Sequence, residues 1–192
     1  MVSRIRHIQP DLALALTDLS ELLVKLKVHI HLRVIGAFAL QLLGIDSTYT
    51  VDIDVIDDIE SSIRQLIAEV GKAHKLAVDW INDSAGDLDL PEGFSSRMAT
   101  VTLYPSIVVS FPCRQDMISL KARAFIHRGA KNPASSTGPK DLKDLDDLTK
   151  LGPTEAEIEL AIEFIRQTAS PPEPQFFPDF DEFIEVLRHV AR

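Results

Sequence analysis

The sequence predicts an α/β chain in which strands and helices alternate over the first two-thirds and helices alone follow. Three observations predict this. Apolar residues recur at helical spacing from Leu12 to Lys27, the mark of an amphipathic helix. Two stretches, Val28–Ile35 and Thr50–Ile56, instead alternate apolar and polar side chains residue by residue, the period of a strand. Beyond Lys131–Gly138, a run rich in Pro, Ser, Thr and Gly that reads as a connection, only helical patterns remain.

The opening helix has Asp11 available as an N-cap, and Leu12, Leu16, Leu19 and Leu23 fall along its apolar stripe. The strand that follows stops at Gly36, and Ala37–Leu43 reads as a short apolar helix ended by Gly44 at the position that accepts left-handed backbone. In Thr50–Ile56 the β-branched Val51, Ile53 and Val55 share one face and Asp52 and Asp54 the other. Asp57 or Asp58 can cap a helix to about Gly71, Lys75–Trp80 suggests a further strand, and the acidic, turn-rich stretch from Asn82 to Arg97 reads as a surface loop. Met98–Tyr104 and Ile107–Phe111 make a hairpin about Pro105-Ser106. Helices are then expected over Gln115–Arg128, Pro139–Leu151, Thr154–Thr168 and Asp179–Ala191, the third opened by a Thr154/Glu157 capping box and the last preceded by a Pro-rich turn. The expected organisation is a core over residues 1–130 and a helical extension packed on it over 139–192.

Composition narrows the function. A chain of 192 residues that is 45% hydrophobic and 26% charged has material for one sizeable core and a small appendage. It contains no run long and apolar enough to span a membrane and no signal-type segment after Arg4 and Arg6, so a cytoplasmic protein is expected. The single Cys113 excludes an internal disulfide and a multi-thiolate metal site. A net charge of −9 argues against broad wrapping of nucleic acid, leaving only a local basic patch from Arg114, Lys121, Arg123, Arg128 and Lys131.

The chemistry-bearing feature is the glycine turn at Gly36 followed closely by Asp52-Ile53-Asp54. Two carboxylates two apart on a strand aim the same way and can share a hard, oxygen-binding cation such as Mg²⁺ or Mn²⁺ beside a triphosphate. A glycine opening a helix lets backbone N–H groups approach phosphate oxygens without side-chain obstruction. On an exposed strand an Asp-x-Asp pair is only a solvated face. Here its other face is wholly β-branched, which predicts a central strand, and acids within a sheet need cations or hydrogen bonds. An Asp-x-Asp also serves sugar-nucleotide glycosyltransferases, whose fold needs a longer chain.

Ile35-Gly36-Ala37-Phe38-Ala39, Thr50-Val51-Asp52-Ile53-Asp54-Val55, Leu120-Lys121-Ala122, and Lys143-Asp144 with Asp147-Leu148 resemble the succession of motifs in AbiEii-type nucleotidyltransferases. That group belongs to the DNA polymerase β-like superfamily and includes toxins of bacterial toxin–antitoxin and abortive-infection systems. Over roughly residues 12–165 the resemblance implies a mixed sheet flanked by helices with a helical C-terminal part. It implies transfer of a nucleoside monophosphate from a nucleoside triphosphate to a tRNA or protein acceptor, and a cognate antitoxin as a possible partner. Asp52 and Asp54 would be catalytic metal ligands, Gly36 and Ala37 would contact phosphate, Lys121 would approach the triphosphate or support the site, and Lys143 and Asp144 would lie near its mouth.

Three positions depart from the pattern. Ala37 stands where the family has Gly or Ser, Thr48 where it has Arg, and the third carboxylate has no obvious owner, Asp79 being the first candidate and Asp83 the second. Asp79 could equally cap a turn. These departures support an alternative, a degenerate module that binds a nucleotide or partner without turnover. His29 and His31, two apart on one strand face, lack a third ligand nearby and read as hydrogen-bonded sheet histidines. Asp141, Asp144 and Asp147 recur every three residues and equally describe a solvated acidic helix face.

Overall fold

The computed structural model describes residues 8–45, 50–131, 139–168 and 180–190, with the side chains of 128–131, 139–142, 180, 182 and 183 also outside the description. Thr48, most of the 131–138 connection and the Pro-rich turn therefore lie outside the described residues. In chain order the elements are α1 (Pro10–Leu26), β1 (Ile30–Arg33), α2 (Gly36–Leu42), β2 (Ile53–Asp54), α3 (Ser61–Ala73), β3 (Ile81–Asn82), α4 (Phe94–Arg97), β4 (Ala99–Tyr104), β5 (Ile107–Phe111), α5 (Arg114–Lys131), α6 (Pro139–Leu151), α7 (Glu155–Thr168) and α8 (Phe180–Val190).

The chain divides into two units. The first comprises residues 1–88 and 93–113, the second 89–92 and 114–192. The boundary thus falls at Cys113/Arg114, ahead of the 131–138 connection where sequence composition suggested it. Helix α5 packs against α6, α7 and α8, burying Met117, Ile118, Ala122 and Phe125, so it belongs with the C-terminal helices rather than with the sheet.

In the first unit β1 pairs parallel with β5, which pairs antiparallel with β4, and β2 pairs parallel with β3. A single antiparallel bridge, Val34 to Val55, joins the two groups, flanked by Ile35 N–H to the Asp54 carbonyl and Ile56 N–H to the Arg33 carbonyl, both 3.0 Å. The sheet is therefore mixed, in the order β4-β5-β1-β2-β3. Alternation decides what it buries: Ile53 of β2 and Val55 after it, Val34 after β1, and Ile107, Val109 and Phe111 of β5 are all inside with Leu12, Leu16, Leu19 and Leu23 of α1. Trp80, fully buried, donates its indole N–H to the Ile67 carbonyl at 2.8 Å, satisfying the one polar atom that burial would otherwise orphan.

Local signals are met in detail. Gly44 (φ +81°) follows α2 in the expected left-handed conformation, with Gly44 N–H to the Gln41 carbonyl and Ile45 N–H to the Leu40 carbonyl, each 3.0 Å. The hairpin turns at Pro105-Ser106. Thr154 N–H meets Glu157 Oε2 at 2.8 Å while Glu157 N–H returns to Thr154 Oγ1 at 3.3 Å.

Other expectations shift. Helix α1 starts at Pro10 after Gln9, with Asp11 inside its first turn, because proline's fixed φ suits that opening position. Helix α3 starts at Ser61, since Asp57 is held by Arg33 and does not cap it. The strand foreseen at Lys75–Trp80 forms one step later, at Ile81–Asn82, because Lys75 takes left-handed backbone and residues 78–80 turn. The stretch to Arg97 includes the short helix α4.

Candidate active site

The first unit brings the two leading motifs together. Gly36 opens α2 at φ +70°, a conformation that costs any residue with a Cβ. The same turn presses on the acid pair: a Cβ on Gly36 would stand 2.8 Å from Asp54 Oδ2. Any other residue here would strain the backbone and push this carboxylate aside. Ala37 is buried beside it, leaving half-buried Gly36 as the open point of the turn.

Strand β2 is shorter than the alternation suggested, and Val51 is 41% exposed rather than part of a buried face. Asp54 nonetheless lies on the outer side of the strand, half-buried, and Asp52 just before it is exposed, while Ile53 and Val55 are inside. Each has Oδ1 held by a neutral donor. Thr50, itself buried, donates its hydroxyl to Asp52 Oδ1 at 2.6 Å, and Asn82 Nδ2 donates to Asp54 Oδ1 at 3.2 Å.

The position facing Asp54 on the neighbouring strand is Asn82, its register partner across the parallel β2–β3 pair. Sequence reading overlooked it, placing Asn82 at the start of a loop. Asp79, the first candidate for a third carboxylate, sits exposed in the turn before β3 and not on the strand. Asp83 is engaged elsewhere: its carboxylate pairs with Arg64 and accepts the Ile59 N–H at 3.2 Å, and the Arg64 guanidinium holds it below the usual carboxylate range. Among the described residues no group of three or more His, Cys, Asp or Glu is placed to hold a metal ion. A Mg²⁺ or Mn²⁺ ion can still be held by one or two carboxylates when a triphosphate supplies the remaining oxygens, and the Asp52/Asp54 pair fits that mode.

A second charged feature flanks the strands. Arg33 of β1 forks onto Asp57, with Nε at 2.9 and 2.8 Å from its two carboxylate oxygens, and reaches Ser95 Oγ at 3.2 Å. That hydrogen bonding lowers the Asp57 pKa against the opposing effect of burial and raises that of Arg33. His31 shares a 2.7 Å hydrogen bond with Ser110, which also bonds Thr100 at 2.6 Å.

The remaining motif residues lie in the second unit. Lys121 of α5 reaches Asp144 Oδ1 at 3.0 Å and Asp147 Oδ2 at 2.6 Å, both on α6. The lysine side chain is 8% exposed and the two aspartate side chains 1% and 0%. The contact with Asp147 is close enough for an ion pair but off the direction of a hydrogen bond, so charge alone compensates that carboxylate. The solvated acidic face read from the three-residue recurrence is therefore a buried cluster at Asp144 and Asp147; the Asp141 side chain is outside the described residues. Lys143, one residue away on α6, is only half-buried.

The described members of the basic patch are paired with acids of the protein. Arg114 binds Glu157 and the Leu151 and Gly152 carbonyls at 2.8 Å each, tying down the end of α6, and Arg123 pairs with Asp89 at 2.5 Å. With Lys121 sealed, three of its five members are committed to internal acids; the side chains of Arg128 and Lys131 lie outside the described residues.

No helix among the described residues is long and apolar enough to cross a membrane. Neither the curated proteins nor the solved structures contain a match to the chain. Residues 12–151, from the first turn of α1 to the last residue of α6 and including both charged clusters, match the model of the family described as nucleotidyltransferases of unknown function (DUF6036). The chain, with its glycine turn seated on an aspartate of β2, belongs to that nucleotidyltransferase family.

Proposed function

We propose that the chain transfers a nucleoside monophosphate from a nucleoside triphosphate to a hydroxyl acceptor, at the corner formed by Gly36, Asp52 and Asp54. The close approach of the Gly36 turn to the Asp54 carboxylate supports this reading, because it brings a helix-opening backbone turn and one acid of the Asp52/Asp54 motif together. Asp52 and Asp54 would hold a divalent cation together with the triphosphate. When bound, that cation neutralises charge developing on the phosphoryl oxygens. The protein's own contribution is positioning: Thr50 and Asn82 hydrogen-bond the two carboxylates, and Gly36 puts no side chain between the turn and Asp54. The acceptor oxygen bonds to the α-phosphorus, the bond to the bridging oxygen breaks, pyrophosphate leaves, and the hydroxyl proton passes to solvent or to a carboxylate.

The acceptor class, a tRNA or a protein, and pairing with an antitoxin in the cytoplasm are proposals supported by the resemblance to AbiEii-type enzymes. Incubation with α-labelled nucleoside triphosphates, Mg²⁺ or Mn²⁺, and fractionated RNA and protein from a cell extract tests the reading. Label should move into one fraction and vanish with Asp52→Asn and Asp54→Asn. Transfer that survives both substitutions would sink it.

One observation favours a second reading, nucleotide binding without turnover. The strand position facing Asp54 holds a neutral amide instead of an acid. Metal-dependent nucleotide binding with no label transfer to any fraction would select this alternative.

A further inference from the structure

Asn82 shares the outer side of the sheet with Asp54, because register partners in a parallel pair point the same way. An asparagine there could serve in either of two ways. Its carbonyl oxygen could join Asp52 and Asp54 as a ligand, or its amide nitrogen could donate to them. The surroundings select the second. Ser84 directs both its backbone N–H, at 3.2 Å, and its hydroxyl onto Asn82 Oδ1. With the oxygen so occupied, the NH₂ group faces Asp54 and donates to its Oδ1 at 3.2 Å. Turning the amide over would set its oxygen against a carboxylate oxygen and its NH₂ against the Ser84 N–H, losing both of those hydrogen bonds and keeping at best a reversed one to the Ser84 hydroxyl.

We propose that Asn82 is a positioning residue that holds Asp54 by hydrogen bonding in place of a third ligand, so that the acid pair carries one divalent cation. The inference rests on the assignment of Asp52 and Asp54 as the cation-holding pair. Its physical basis is charge count. Two carboxylates set against a dication leave no surplus negative charge, whereas a third at residue 82 would supply the ligand and charge that tighten the first ion or admit another.

The test is Mn²⁺ binding to the full chain, counted by the loss of the free-ion electron paramagnetic resonance signal, with folding of each variant checked by circular dichroism. Wild type should bind one Mn²⁺. Asn82→Asp should bind a second or hold the first about tenfold more tightly, through added ligand charge. Asn82→Ala should retain one site, weakened by no more than about tenfold, as expected when only an outer partner of a ligand is lost. A merely structural role would move thermal stability without changing the Mn²⁺ count.

Loss of Mn²⁺ from Asn82→Ala as complete as from Asp54→Asn would overturn the proposal by making Asn82 a ligand. An unchanged count and affinity in Asn82→Asp would overturn it by showing that residue 82 has no access to the ion. Mn²⁺ binding indifferent to Asp54→Asn would instead bring down the assignment of the acid pair itself, and the Asn82 role with it.

Discussion

Two pairs of aspartates in this chain use the same functional group in opposite ways. Asp52 and Asp54 stand at a short strand, partly open to water, and accept hydrogen bonds from the hydroxyl of Thr50 and the amide of Asn82. Asp144 and Asp147 are sealed between helices and share the ammonium of Lys121. Burial makes the difference. A carboxylate removed from water must bring a cation with it, whereas one left at the surface can wait for a cation from solution. Negative charge kept accessible to water is available to a ligand; negative charge enclosed with a lysine is part of the core.

The contrast can be broken or sharpened by substitution. The largest effect is expected for Lys121→Ala, which strands two buried carboxylates and should lower unfolding free energy by roughly 3–5 kcal/mol. Urea denaturation measures it, and a loss under 1 kcal/mol would show that the cluster is not sealed. Gly36→Ala comes next. It forces a side chain into left-handed backbone and a Cβ to within 2.8 Å of Asp54 Oδ2, so about 1–3 kcal/mol should go. Nucleotidyl transfer should fall more steeply than stability, because Asp54 itself must move.

Acid titration gives a smaller effect. Asp57 has its pKa lowered by Arg33, so the stability it contributes is present above the ordinary carboxylate range and is lost as pH falls below about 4. Both partners are more than a third exposed, and screening limits the contribution to a few tenths of a kcal/mol, roughly the lower end for surface pairs. Urea midpoints at pH 6 and pH 3 should converge slightly in Asp57→Asn relative to wild type. The smallest effect on stability belongs to the acid pair. Asp52→Asn and Asp54→Asn should each unfold within about 0.5 kcal/mol of wild type while abolishing cation binding. A stability loss comparable to that of Lys121→Ala would erase the distinction between the two regions.

Much of the fold was legible because its signals are local. The capping box at Thr154 and Glu157, the left-handed Gly44, the hairpin at Pro105-Ser106 and the glycine turn at Gly36 each depend on residues a few positions apart, and each forms as read. What escaped depends on residues far apart. Nothing near Asn82 announces that it will face Asp54, since that register is set by the length and packing of α3 between the two strands. Nothing near Lys121 distinguishes a lysine on a solvated helix face from one enclosed by Asp144 and Asp147, because the decision belongs to a second helix. The unit boundary at Cys113/Arg114 escaped for the same reason. Composition marked the 131–138 connection, while packing assigned α5 to the helices that follow it.

The sequence by itself determined the order of strands and helices, the glycine that opens α2 and the inward turn of Ile53 and Val55 that leaves Asp54 on the other side, all of which follow from backbone sterics and the two-residue period of a strand. Only the tertiary structure decided which charges stay in water and which are enclosed. Desolvation depends on what packs over a side chain, and at Asp54 and Lys121 the deciding neighbours stand 28 and 23 residues away.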